Sequence, residues 1–180
     1  MTVQNVVCSA IKIMGDNNFY NYIITGERET ETYRNDKELL LIAFKQALET
    51  AVQYFPLERT ENFLGVKNSL SYKNFSHNPY RIINVDCNSG YKVLPTEIIA
   101  SGNVTVTYYY LPVIDSIQQE NPLKKSPVST NTLAYGVLSE FLVYKGRFEE
   151  AVTYFEKFIN GLKNASNYKR KNKLKAREWF

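Results

Sequence analysis

The residues able to do chemistry are few and scattered. One histidine, His77, lies in Asn74-Phe75-Ser76-His77-Asn78-Pro79 beside a serine, and a serine–histidine pair is the smallest unit of acyl-transfer chemistry. No serine sits in a strand-turn-helix nucleophile elbow, however, and His77 reads as a solvated loop residue. Carboxylates pair at Glu149-Glu150 and at Glu29 with Glu31. Glycoside hydrolysis or two-metal chemistry would need such groups to converge in a cleft. Glu149 and Glu150 instead fall in the first turn of a helix, where negative charge is favoured by the helix dipole. Cys8 and Cys87 are too far apart in sequence for a metal-type pair and too few for a disulfide framework. With no glycine-rich phosphate loop, dinucleotide fingerprint or metal-spaced cluster, the expectation is a chain that is not an enzyme, with no catalytic residue, metal or cofactor.

A second kind of chemistry, recognition, is concentrated in the tail Tyr168-Lys-Arg-Lys-Asn-Lys-Leu-Lys-Ala-Arg-Glu-Trp-Phe180. It carries six Lys and Arg against one Glu, a charge of +5 where the whole chain has +4, so everything before it nets −1. A run of Lys alone would be a solubilising arm. Here the charges end on Trp179-Phe180 with Tyr168 and Leu174 interleaved, and aromatic and Arg side chains dominate binding hot spots. The predicted partner-binding residues are Tyr168, Lys169, Arg170, Lys171, Lys173, Lys175, Arg177, Trp179 and Phe180, in an arm spanning 164–180 that orders on contact. A phosphate backbone and an acidic protein surface would both attract them. A dedicated nucleic-acid-binding module is therefore the alternative, weakened by the near-neutral body.

The elements that must position this arm follow from periodicity. Apolar residues are 44% and charged residues 22% of 180, the balance of one globular domain. There is no apolar stretch long enough for a membrane span. The opening residues have no basic region leading into an apolar block, which argues against a secretory signal. Three- and four-residue spacing predicts helices over 2–15 (capped by Thr2), 36–55 (capped by Asp36, stopped by Pro56), 131–145 and 147–163, each with one apolar stripe. Residues 16–34 read as a loop or short hairpin. Between the second and third helices, over 60–113, the period changes to two, as in Tyr80–Asp86 and Val104–Tyr110. The 14 Tyr and 10 Phe suit such half-buried strands. The expected fold is α+β: a four-helix bundle of two antiparallel pairs forming one domain over 1–163, with an inserted small antiparallel β-meander and the basic C-terminal arm. The Lys145-Gly146-Arg147 turn resembles the junction of a helical repeat, but only one copy is present.

This order of parts resembles the head-tail adaptor proteins of tailed bacteriophages, including those called tail tubular proteins in short-tailed phages. The phrases that carry the likeness are the opening Thr2–Met14 helix, Phe44-Lys45-Gln46-Ala47-Leu48-Glu49 closing on Tyr54-Phe55-Pro56-Leu57, and Arg81–Val85 followed by Val104–Tyr108. They continue with Leu133–Glu140, the Lys145-Gly146-Arg147 turn and the basic tail closing on an aromatic pair. The resemblance implies a structural virion protein of the head-tail neck, assembled in the host cytoplasm as a homo-oligomeric ring, usually of twelve subunits. Such a ring docks on the portal protein, continues into the next neck or tail ring protein, and passes DNA through its channel without sequence specificity. It also implies that the C-terminal arm makes the portal contact.

Overall fold

The computed structural model describes the backbone of residues 1–175 and the side chains of residues 1–167. Among the described residues the chain is a mixed α and β fold with five α-helices and two small antiparallel sheets. It divides into two compact units: residues 1–55 with 114–180, and residues 56–113.

The helical unit begins with α1 (Val3–Met14), whose N-cap Thr2 accepts from Asn5 N at 3.3 Å and whose chain reverses at Gly15, φ +84°. Residues 16–34, expected to be loop or hairpin, instead form α2 (Asn17–Thr25) and the start of α3 (Glu31–Tyr54). Asp16 caps α2 by accepting from Phe19 N at 2.9 Å, and Phe19, Tyr22 and Ile23 bury one face. Thr30 caps α3 through Tyr33 N at 3.1 Å. Asp36 is thus an interior residue of α3 rather than its cap, and it forms an ion pair with Lys145.

After the insertion come α4 (Thr130–Tyr144), capped by Ser129, and α5 (Phe148–Lys175). The expectation of one apolar stripe per helix fails for α4, which packs against α1, α3 and α5. It buries Leu133, Ala134, Gly136, Val137, Leu138, Ser139, Phe141 and Leu142. Gly136 sits where three helices converge: a Cβ there would lie 3.0 Å from Ala47 Cβ and from the Phe158 ring. A side chain there would crowd both neighbours, and glycine lets the helices approach without that strain. Ser139 Oγ, buried in the same seam, donates to Ala151 O at 2.9 Å. Gly146, at φ +72°, reverses the chain between α4 and α5.

In the second unit one sheet has the order β1-β6-β3 and the other β2-β5-β4. The strands are β1 (Glu58–Val66), β2 (Ser69–Ser71), β3 (Pro79–Cys87), β4 (Lys92–Val93), β5 (Glu97–Ile99) and β6 (Gly102–Tyr110). The order is not the sequential one of a meander. Each sheet is half of one ladder bent over: 97–110 runs down the middle, with 58–71 on one side and 79–93 on the other. Gly102, at φ +89°, lies at the bend. The inward faces close on Leu70, Phe75, Val85, Ile98, Ala100, Val104, Val106 and Tyr108.

Candidate functional site

The predicted docking arm falls at the limit of what is described. Tyr168, Lys169, Arg170, Lys171, Lys173 and Lys175 lie on backbone that continues α5 as helix, with side chains outside the described residues. Arg177, Trp179 and Phe180 lie outside the described residues altogether. The 28 residues of α5 make a rod of about 42 Å at 1.5 Å per residue. Its antiparallel neighbour α4, of 15 residues, reaches only about 22 Å on the same rise.

Before reaching those positions α5 carries two apolar faces. Ala151, Phe158 and Leu162 are buried. Phe148, Val152 and Phe155 are 64%, 59% and 42% exposed, and Ile159 is half-buried. Their 4-3-4 spacing is a coiled-coil seam, set roughly a quarter of a turn round from the buried face. Val143 and Tyr144 at the end of α4 are also exposed. Scattered apolar residues need no explanation, whereas a contiguous stripe of large ones marks an interaction surface.

The second unit holds a polar cluster that the sequence did not announce. Glu61, facing inward on β1, accepts from Tyr108 Oη at 2.5 Å, from Ser76 Oγ, and from Ser76 N at 3.2 Å. Arg59 Nε lies 2.9 Å from the same carboxylate. Burial pushes the Glu61 carboxyl up, but the Ser76 and Tyr108 hydrogen bonds and the Arg59 charge outweigh it and hold the group below the ordinary glutamate range. Burial, then the hydrogen bond and charge of Glu61, push the Tyr108 phenol up to about 12.

His77 lies beside this cluster, its ring stacked on Tyr110 at 4.3 Å between centroids. Its Nε2 is 3.1 Å from Arg59 Nη1. Arginine only donates, so Nε2 accepts and its lone pair is engaged. Ser76 Oγ donates to Glu61 rather than to His77. The arrangement cannot pass a proton from Ser76 to His77; it pins the 74–78 loop across β1. The signal that could have found it is the alternation of Glu61 with Phe63 on one strand face, since a carboxylate on the core-facing side of a strand requires partners.

Of the carboxylates singled out from the sequence, Glu29 and Glu150 are held by neighbours. Glu29 pairs with Arg34 at 3.0 Å. Glu150 takes the Arg147 guanidinium at 2.5 and 2.7 Å, and Glu149 stands with it in the first turn of α5. Among the described residues no group of three or more His, Cys, Asp or Glu is placed to hold a metal ion, and no helix is long and apolar enough to cross a membrane.

Among the concave features of the described residues is a groove of about 550 Å³ along β3 and the Tyr91–Pro95 segment, with others of about 560 and 520 Å³ elsewhere. Tyr80, Ile83, Tyr91 and Val93 line it and are exposed. No family model matches the chain, and none of the curated proteins matches it.

Proposed function

We propose that this protein is a structural ring subunit of the virion neck: a head-tail adaptor that docks on a portal ring and joins it to the next neck or tail protein, with DNA in the channel. In this reading α1, α3, α4 and α5 are the four-helix bundle and α2 is an added helix. The β unit is the insertion, and α5 leads into the portal-docking arm of Tyr168, Lys169, Arg170, Lys171, Lys173, Lys175, Arg177, Trp179 and Phe180. The role is scaffolding and not catalysis.

The observation that supports it best is α5. One face is closed within the helical unit, a second apolar face is open, and the same rod runs on as helical backbone into the basic positions. An apolar seam ending in positive charge and aromatics suits a fastener that enters a groove on a preformed assembly. Ordering of the arm on contact would make assembly templated, because a subunit gains its binding energy only beside the portal. Repetition round a ring lets modest contacts add up to a strong joint.

The test is to mix the purified protein with a portal ring and image the product by electron microscopy, with a variant truncated after Asn167 in parallel. Full-length protein is expected to add a ring of density beneath the portal, and the truncated variant to add none. Truncated protein docking as well as full-length protein would sink the arm. The nucleic-acid reading makes the opposite prediction: tight DNA binding by full-length protein without a portal, steeply weakened by salt and lost on truncation.

A further inference from the structure

We infer that copies of this chain join edge to edge through their sheets, β3 of one copy receiving β1 of the next. This rests on the ring reading and names the contact between its subunits.

The first sheet has two free edges among the described residues, since β1 and β3 each pair only with β6. Both run antiparallel to β6 and therefore parallel to each other. Head-to-tail repetition about a ring axis consequently sets β1 of the next copy beside β3, in parallel. Unpaired N–H and C=O groups make each edge a template for another strand, and the groove along β3 opens beside Asn84 and Val85.

Register supplies the charge argument. Glu58 and Arg81 both align with Tyr109, so they stand at opposite ends of one row on the outward face. Thr60 and Asn84 share the row through Thr107, and Asn62 and Asp86 the row through Thr105. Repeating the sheet sideways at constant level brings Arg81 to Glu58 of the next copy, Asn84 to its Thr60 and Asp86 to its Asn62. The rows contain one opposite-charge pair, two polar pairs and no like-charge pair. Cross-strand pairs of these kinds stabilise a sheet, whereas like charges oppose it.

Neither Glu58 nor Arg81 has an ion-pair partner among the described residues. Leu64, on β1 and 82% exposed, and the bulged Tyr80 and Ile83 of β3 are apolar groups such a neighbour would cover. The same bulges confine regular pairing on β3 to Asn84–Cys87, so the contact is short and reversible until many copies share it. Such a heterologous contact closes into rings when the rotation per copy allows.

Cysteine trapping tests this. In a Cys87→Ser background, Thr60→Cys with Asn84→Cys is expected to give, on mild oxidation of concentrated protein, a disulfide ladder of three copies and more. Adding Glu58→Arg should cut the ladder at least five-fold, and adding Arg81→Glu to that should restore it. Dimers from Asn84→Cys alone would mean two β3 edges meeting about a two-fold axis and would overturn the proposal. So would monomers only, or a ladder indifferent to the charge swap. A chain that gives the ladder but never docks on a portal fails the ring-on-portal reading and leaves the edge contact standing; a docked ring without the ladder does the reverse.

Discussion

Glu61 and Tyr108 share a proton-bearing contact whose two sides titrate in opposite directions, which makes it measurable from both ends of the pH scale. Glu61 is held below its ordinary value of 4.5, so the folded state favours its charged form. The stability it contributes is present above that value and is lost as pH falls through the lower, folded one. Tyr108, raised from 10.0 to about 12, favours its neutral form when folded. That contribution is complete below pH 10 and is lost as pH rises towards about 12. Chemical denaturation followed across pH should therefore show Glu61→Gln losing the acid-side slope and Tyr108→Phe losing the alkaline one. Each should cost about 1–3 kcal/mol near neutrality, by removing a hydrogen bond to a charged group. Wild-type slopes in both variants would mean the cluster contributes little. Gly136 offers a second residue-scale test: Gly136→Val forces atoms into the seam of Ala47 and Phe158. It should destabilise by about 1–3 kcal/mol, as overpacking does, in thermal or urea unfolding.

Among the elements, α5 lets folding be tested apart from the proposed docking, because one of its apolar stripes is buried and the other exposed. Phe158→Ala removes a buried ring and should cost about 3–5 kcal/mol of stability. Phe155→Asp or Val152→Asp changes the open face and should move stability by only about 0.5 kcal/mol, while abolishing portal docking in a pull-down. Equal unfolding losses in both classes would show that the open stripe is core after all. The helices α1, α3, α4 and α5 were legible because each sustains the helical period long enough to outvote local composition. α2 was not: nine residues between Gly15 and Gly26, starting Asn17-Asn18, look like turn chemistry. Its helical signs were Asp16 as cap and the Phe19, Tyr22, Ile23 spacing. The Asp36 assignment failed for the related reason that a good cap residue also occurs inside helices, here facing Lys145.

For the molecule as a whole, the α+β class and the place of the insertion could be read from the change of period, but the strand order could not. Alternation reports which face a residue takes, and says nothing of which strand lies beside it. Pairing 58–71 and 79–93 each with 97–110 is a non-local choice made by the shared core of Phe75, Val106 and Tyr108. The chemistry of the arm was visible in composition, and its structural fate lies outside the described side chains. Charge placement gives a whole-molecule expectation: a body near neutrality with a +5 tail should dock on its partner with an affinity that falls as salt rises from about 50 to 200 mM. The variant truncated after Asn167 should lose that dependence in the same titration.

Pairing of β1 with β6, continued by Tyr110 N donating to Leu57 O at 3.1 Å, brings the entry and exit of the insertion side by side. Once that ladder zips, the detour separating α3 from α4 is short-circuited. The chain entropy of bringing α3 to α4 is then that of a much smaller loop. During synthesis residues 56–113 emerge before α4 and α5, so the strands can fold first and hand the later helices a hinge already shut. Weakening that ladder should slow the packing of α3 on α4.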